Sequence, residues 1–200
     1  MLCVEATTSW QIRCHQLYVG IRNLLKGLPN YCRFHRNLIM LPWERRPIEI
    51  ANLFNPAFCS LLIQYSIRGF ERESGRGMPY TLAFLVLPIT LHIQTRQTLP
   101  TTTRTKLHVW LRENPEVRID FVNRVRNLTP YTKEAILFGC QTQIISFQED
   151  GTVTWIRRSL SSNTDSPEIE SLIRTAEFLG QWMAKIQDPA SFFTMWGVRP

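Results

Sequence analysis

The chain has 200 residues, 44% hydrophobic and 20% charged, with a formal net charge of +7. That composition excludes a disordered polyelectrolyte and a polytopic membrane protein, and a domain of about 160 residues buries roughly 70% of its unfolded surface without a disulfide or metal staple. The charge does not by itself point to nucleic acid: Arg13, Arg22, Lys26, Arg33 and Arg36 against Glu5 put +4 in residues 1–39 and leave +3 for residues 40–200.

Residues 1–39 mix Cys, His, Trp, Arg and Asn without a sustained period, and turn chemistry comes only at Gly27 to Asn30. Patterned sequence begins at LPWERRPIEI, just after Met40, so Met40 is the expected start and residues 1–39 an extension translated from upstream. Residues 40–158 then form the domain, 159–166 a linker and 167–200 C-terminal helices. Two other readings of the extension are weaker. An organellar targeting peptide fits the acid-poor composition, but no apolar stretch precedes a small-residue cleavage site. Cys14-His15 with Cys32-x-x-His35 would supply four zinc ligands at spacings unlike the usual pairs. The five cysteines form no disulfide framework, and Cys59 and Cys140, on apolar helical patterns, are expected to be small core residues in a reducing cytosol.

Pro47 opens a helix over IEIANLF, and Asn55-Pro56 breaks it and starts another. Ala57, Leu61 and Tyr65, with Phe58, Leu62 and Ser66, give the second helix a broad apolar face, and Phe54 and Phe58 are expected to lock the break by packing. ERESGRGMP, Glu71 to Pro79, reads as a solvent-facing loop for flexible connection or partner contact. Its Gly75-x-Gly77 lacks the Lys-Ser/Thr ending of a phosphate loop and does not follow a strand. Leu82 to Leu91, interrupted by Pro88 and Thr90, is about half the roughly 20 residues a bilayer crossing needs. It is expected inside a buried helix from Tyr80 to His92, with no membrane partner.

Pro100 and Thr101 to Thr103 are expected to cap a helix ending near Glu113. Asn114-Pro115 starts the next, with Val117, Phe121, Val125 and Leu128 as an apolar stripe and Arg118, Arg124 and Arg126 on a solvated face. Thr129-Pro130 starts a third, to about Gln143. Ile144 to Phe147 and Thr152 to Ile156 then form a hairpin around Glu149-Asp150-Gly151. The expected class is mostly α within α+β: a helical domain containing a winged-helix-like unit of three helices and a β-hairpin, followed by C-terminal helices. Ser166-Pro167 begins a helix carrying Ile169, Ile173, Ala176, Leu179 and Met183. Asp188-Pro189 begins a short one whose Phe192, Phe193, Met195 and Trp196 are expected in the core before Gly197 stops it.

The helix before the hairpin, PYTKEAILFGCQTQ, offers Tyr131, Lys133, Glu134, Gln141 and Gln143 to a DNA groove, a set poor in positive charge. Arg157 and Arg158 at the hairpin's end are the better nucleic-acid candidates. His92 and His108 lie outside any metal-binding helix motif, and Glu71 and Glu73 sit two apart in the polar loop. The sequence therefore nominates no catalytic, cofactor or metal residue.

Arg46-Pro47 with Glu49, Ala51-Asn52-Leu53-Phe54-Asn55-Pro56-Ala57-Phe58-Cys59, Gly77-Met78-Pro79, Leu82-Ala83-Phe84-Leu85-Val86-Leu87-Pro88, Leu99-Pro100 and the terminal Gly197-Val198-Arg199-Pro200 resemble the middle-component family of bacterial three-component ABC systems. The resemblance covers nearly all of residues 45–158, while residues 1–39 depart from it. It implies a cytoplasmic, non-enzymatic adaptor between an SMC-like ABC ATPase and an effector such as a nuclease, in a Lamassu-like defence against phages and plasmids, with DNA reached through the complex. It carries over no catalytic residue. The partner interface is expected at Phe54 and Phe58 together with Arg72 and Arg76, because aromatic and arginine side chains are favoured interface anchors. A free-standing winged-helix DNA-binding regulator is the competing reading.

Overall fold

Asn55 and Pro56 divide the first patterned stretch into α1 (Ile48–Leu53) and α2 (Pro56–Ser74), and the Asn55 side chain accepts from the Ala57 amide at 2.9 Å. Proline at the first helical position gives up an N–H that has no partner there. The computed structural model describes residues 45–156, 166–186 and 188–199. The elements named here belong to one compact unit, Ile48–Pro200. The Met40 start, the targeting reading, the Cys-His pairs and nearly all of the linker lie outside the described residues.

Cys59, Leu62, Ile63, Ile67 and Phe70 form the buried side of α2, while Ala57, Leu61 and Tyr65 are half-buried at its margin. The helix runs on to Ser74 and closes at Gly75, whose φ is 70° and whose N–H donates to the Glu71 carbonyl at 2.8 Å. The expected loop therefore shrinks to three residues. Glu71 to Ser74 are helical, and Met78–Pro79 is β1, with Met78 fully buried. Gly75 ends a helix instead of opening one, which removes the phosphate-cradle reading.

A 3-10 turn (Tyr80–Leu82) leads into α3 (Ala83–Thr90), which is buried almost throughout, as its sequence requires. The polar stretch Ile93–Thr98 is α4, an element without an apolar period to announce it; His92 caps it instead of ending the helix before. Pro100 and the three threonines lie in irregular bends and turns, and α5 (Leu107–Glu113) begins only after Lys106. Two indoles hold this irregular stretch: Trp110 Nε1 donates to the Thr98 carbonyl at 2.6 Å and Trp182 Nε1 to that of Thr105 at 2.7 Å. Asn114 finishes α5, its side-chain amide donating to the Trp110 carbonyl at 2.9 Å.

After a 3-10 turn (Pro115–Arg118), one helix, α6 (Phe121–Gln141), spans the two expected ones and contains Pro130. Proline removes one backbone hydrogen bond, yet Phe121, Val125 and Leu128 before it and Thr132, Ala135, Ile136 and Gly139 after it are buried along the same rod. Burial on both sides outweighs the local break. The separate second and third helices of the expected unit are thus a single element.

Strands β2 (Ile145–Phe147) and β3 (Thr152–Trp155) pair antiparallel with Ile145 opposite Trp155, and Met78 of β1 sits opposite Val153. The sheet order is β1-β3-β2. The hairpin turns at Gly151, φ 78°, with the Asp150 carboxylate accepting from the Thr152 amide at 2.9 Å. A mostly helical domain with this small sheet is the α+β class expected.

Helix α7 (Pro167–Ala184) makes the most extensive helix contact in the fold, along α2. The approach is close because each helix offers a glycine to the other's backbone: Gly69 faces the Glu177 carbonyl and Gly180 the Ser66 carbonyl. In α8 (Pro189–Met195) the Asp188 side chain caps the helix at the Ala190 and Ser191 amides, both at 3.1 Å. Phe192, Phe193 and Trp196 are buried as expected, Trp196 stacking on Phe121 with centroids 4.1 Å apart. Ile48–Ser74 is the one described stretch long and apolar enough to cross a bilayer, and more than half of its apolar window is buried in this core.

Candidate functional site

The last turns of α2 place Arg68, Glu71 and Arg72 at i, i+3 and i+4, one face of a helix. Strand β3 brings up Trp155 and α7 brings up Glu177. Among them lies an open cavity of about 330 Å3 lined by Arg68, Glu71, Arg72 and Trp155. The Arg68 guanidinium carbon is 5.5 Å from both the Tyr65 and Trp155 ring centres, so the cation rests against two aromatic rings. Glu177 Oε1 accepts from Arg72 Nη1 at 2.8 Å and lies 3.6 Å from Arg68 Nε. The Trp155 amide donates to the Glu71 carboxylate at 3.0 Å. Burial pushes the Glu71 pKa up, against the pull of that hydrogen bond. A further rung between the helices is Lys185 with Glu73 at 2.9 Å.

Of the residues expected to form one interface, Arg72 lines this groove and Arg76 is exposed just past Gly75. Phe54, half-buried, rests on Tyr131 with centroids 4.4 Å apart, and Phe58 is half-buried beside the same end of α2. With about 1.5 Å of rise per residue, α2 separates Phe58 at one end from Arg72 at the other by about 21 Å. They are two surfaces. Arg157 and Arg158 lie outside the described residues. The groove residues that sequence reading passes over are Arg68, Trp155 and Glu177. The Arg68–Arg72 spacing was the available signal; Glu177 joins them only through the docking of α7.

Three of the five residues offered to a DNA groove are taken up by the fold: Glu134 is buried and Tyr131 and Gln141 are half-buried, leaving Lys133 and Gln143 exposed. Arg124 is no solvated cation either. Its guanidinium donates to the Ile119 carbonyl at 3.2 Å, the Thr95 hydroxyl at 3.3 Å and the Pro88 carbonyl at 3.4 Å, joining α3, α4 and the start of α6, while Arg118 and Arg126 are exposed.

His92 accepts at Nδ1 from the Thr95 amide at 3.3 Å, and burial, with nearby Arg124 second, lowers its pKa. The neutral ring is therefore favoured in the folded state, and its contribution to stability is complete above the unfolded pKa and lost as pH falls through the unfolded and then the lower folded value. Thermal unfolding is expected to show the wild type losing stability as pH falls below the ordinary histidine value of 6.5, with His92→Asn, which keeps a cap acceptor, losing less. Equal losses in the two proteins would show that His92 is not the titrating group.

No group of three or more His, Cys, Asp and Glu side chains suited to a metal occurs among the described residues. His108 is exposed, and Glu71 and Glu73 are engaged separately, by the Trp155 amide and by Lys185. The groove combines guanidinium donors with an indole wall. The family model of the ABC-three component (ABC-3C) system Middle Component 3 matches residues 43–200. No curated protein and no solved structure matches the chain significantly.

Proposed function

We propose that this chain, which belongs to the ABC-three component (ABC-3C) system Middle Component 3 family, is the non-enzymatic subunit joining an SMC-like ABC ATPase to an effector, such as a nuclease, in a cytoplasmic defence complex of bacteria against phages and plasmids. A middle component has an accessory role beside the other components of its system. The observation that carries the reading is the extent of the match, residues 43–200, which takes in every described element.

The two ends of α2 support it. Phe54 and Phe58 at one end and Arg72 and Arg76 at the other supply separate surfaces of the residue types that anchor interfaces, as joining two neighbours requires. With two of the three expected helices fused into α6, a winged-helix-like order is made instead by α2, β1, α3 and α6 leading into β2 and β3, and in this reading it serves protein contact. Its turn carries the exposed carboxylates Glu149 and Asp150, which disfavour a phosphate backbone. DNA is reached through the complex.

The test is affinity capture of the tagged chain from its native host with mass spectrometry of near-stoichiometric partners. An SMC-like ATPase and a third subunit are the expected result. The protein alone, with duplex binding that falls steeply with salt, would replace this reading with that of a DNA-binding regulator.

A further inference from the structure

We infer that the groove between α2, β3 and α7 receives an acidic segment of a partner subunit, Arg68 and Arg72 gripping its carboxylate while Trp155 carries an apolar side chain beside it; this rests on the accessory-subunit reading. Each guanidinium is a fork of several N–H donors suited to a carboxylate. The acceptor the two share is Glu177 Oε1, and their side chains remain 36% and 62% exposed, so most of that donor capacity faces the groove and solvent. The site is also set in advance. Tyr65 and Trp155 flank Arg68, and Glu177 tethers Arg72, so little side-chain freedom is lost when a ligand arrives.

Charge balance selects the ligand class. Arg68 and Arg72 are offset by Glu71 and Glu177, with the Glu73–Lys185 pair adjacent, so the groove has no surplus of positive charge. A nucleic-acid backbone would bring successive phosphates against those carboxylates. A peptide carrying one carboxylate next to an apolar side chain matches both the donors and the indole, and the cavity of about 330 Å3 suits a short segment. Glu177 occupies the seat such a carboxylate would share, which makes it an internal competitor.

The experiment co-expresses the full chain with the other subunits of its own system and measures their binding to wild type, Arg72→Ala, Arg72→Glu and Glu177→Gln, with thermal unfolding as the check on folding. Arg72→Ala is expected to weaken binding about tenfold and Arg72→Glu further, whereas Glu177→Gln, by freeing both guanidiniums, tightens it about threefold. Crosslinks from position 76 are expected to map to a partner segment with Asp or Glu beside an apolar residue. Equal binding by wild type and Arg72→Glu overturns the groove assignment alone, as does weaker binding by Glu177→Gln, the result of a merely structural ion pair. No binding by wild type overturns the accessory-subunit reading with it. A short DNA duplex, or a second copy of this chain, bound by wild type and released by Arg72→Glu would assign the groove to that ligand instead and overturn the proposal.

Discussion

Replacing Gly180 with alanine is expected to lower the unfolding midpoint by about 6–12 °C, the consequence of roughly 3 kcal/mol in a domain of this size. The added Cβ would overlap the Ser66 carbonyl oxygen and lie 2.8 Å from its carbon and 2.9 Å from the Phe70 nitrogen. All three are backbone atoms of a helix, so no rotamer change relieves the overlap and α2 and α7 must move apart. Separation loosens the packing of Ile67 and Phe70 on one helix and Ala176, Leu179 and Met183 on the other. Gly69→Ala meets the Glu177 carbonyl in the same way. The double variant is expected to cost less than the sum of the two, because helices spread by one methyl already make room for the second. Circular dichroism melts of the full chain measure this; a Gly180→Ala protein melting within about 2 °C of wild type would show that the contact is not tight.

Trp182→Ala is expected to cost about 3–5 kcal/mol. The indole is 2% exposed, packs edge-on against Trp110 with centroids 5.4 Å apart, and donates to the Thr105 carbonyl. Truncation leaves a cavity between α5 and α7 and frees the bends that precede α5. Trp182→Phe separates the two effects: it keeps a ring but leaves the Thr105 carbonyl without its donor, a cost of about 1–2 kcal/mol. Denaturant unfolding of both variants decides between them. Equal losses would assign the effect to the hydrogen bond and not to packing.

The parts of the fold legible in the sequence are those fixed by neighbours along the chain. Asn55-Pro56, Asp188-Pro189 and Asp150-Gly151 are local signals, and each appears as a cap or turn. Thr129-Pro130 carries the same kind of signal and misleads, because the cost of one missing N–H is set against a long buried stripe that local reading does not weigh. Helix α4 has the opposite problem: IQTRQT shows no apolar period, and the helix depends on the His92 cap and the Arg124 hydrogen bond to Thr95. The candidate site was half legible. Arg72 stands out by residue type, but its grouping with Arg68, Trp155 and Glu177 depends on strand β3 and helix α7 arriving from more than eighty positions away.

The α2–α7 contact also bears on biosynthesis. Pro56 and Pro167 stand 111 residues apart, so at roughly 5–20 residues per second a ribosome needs about 6–22 s after making the start of α2 to reach the start of its glycine-matched partner. For that interval the apolar side of α2 lacks its largest covering, and a product that stops before α7 never acquires it. Premature termination before α7 therefore leaves that side of α2 uncovered and the product prone to aggregate.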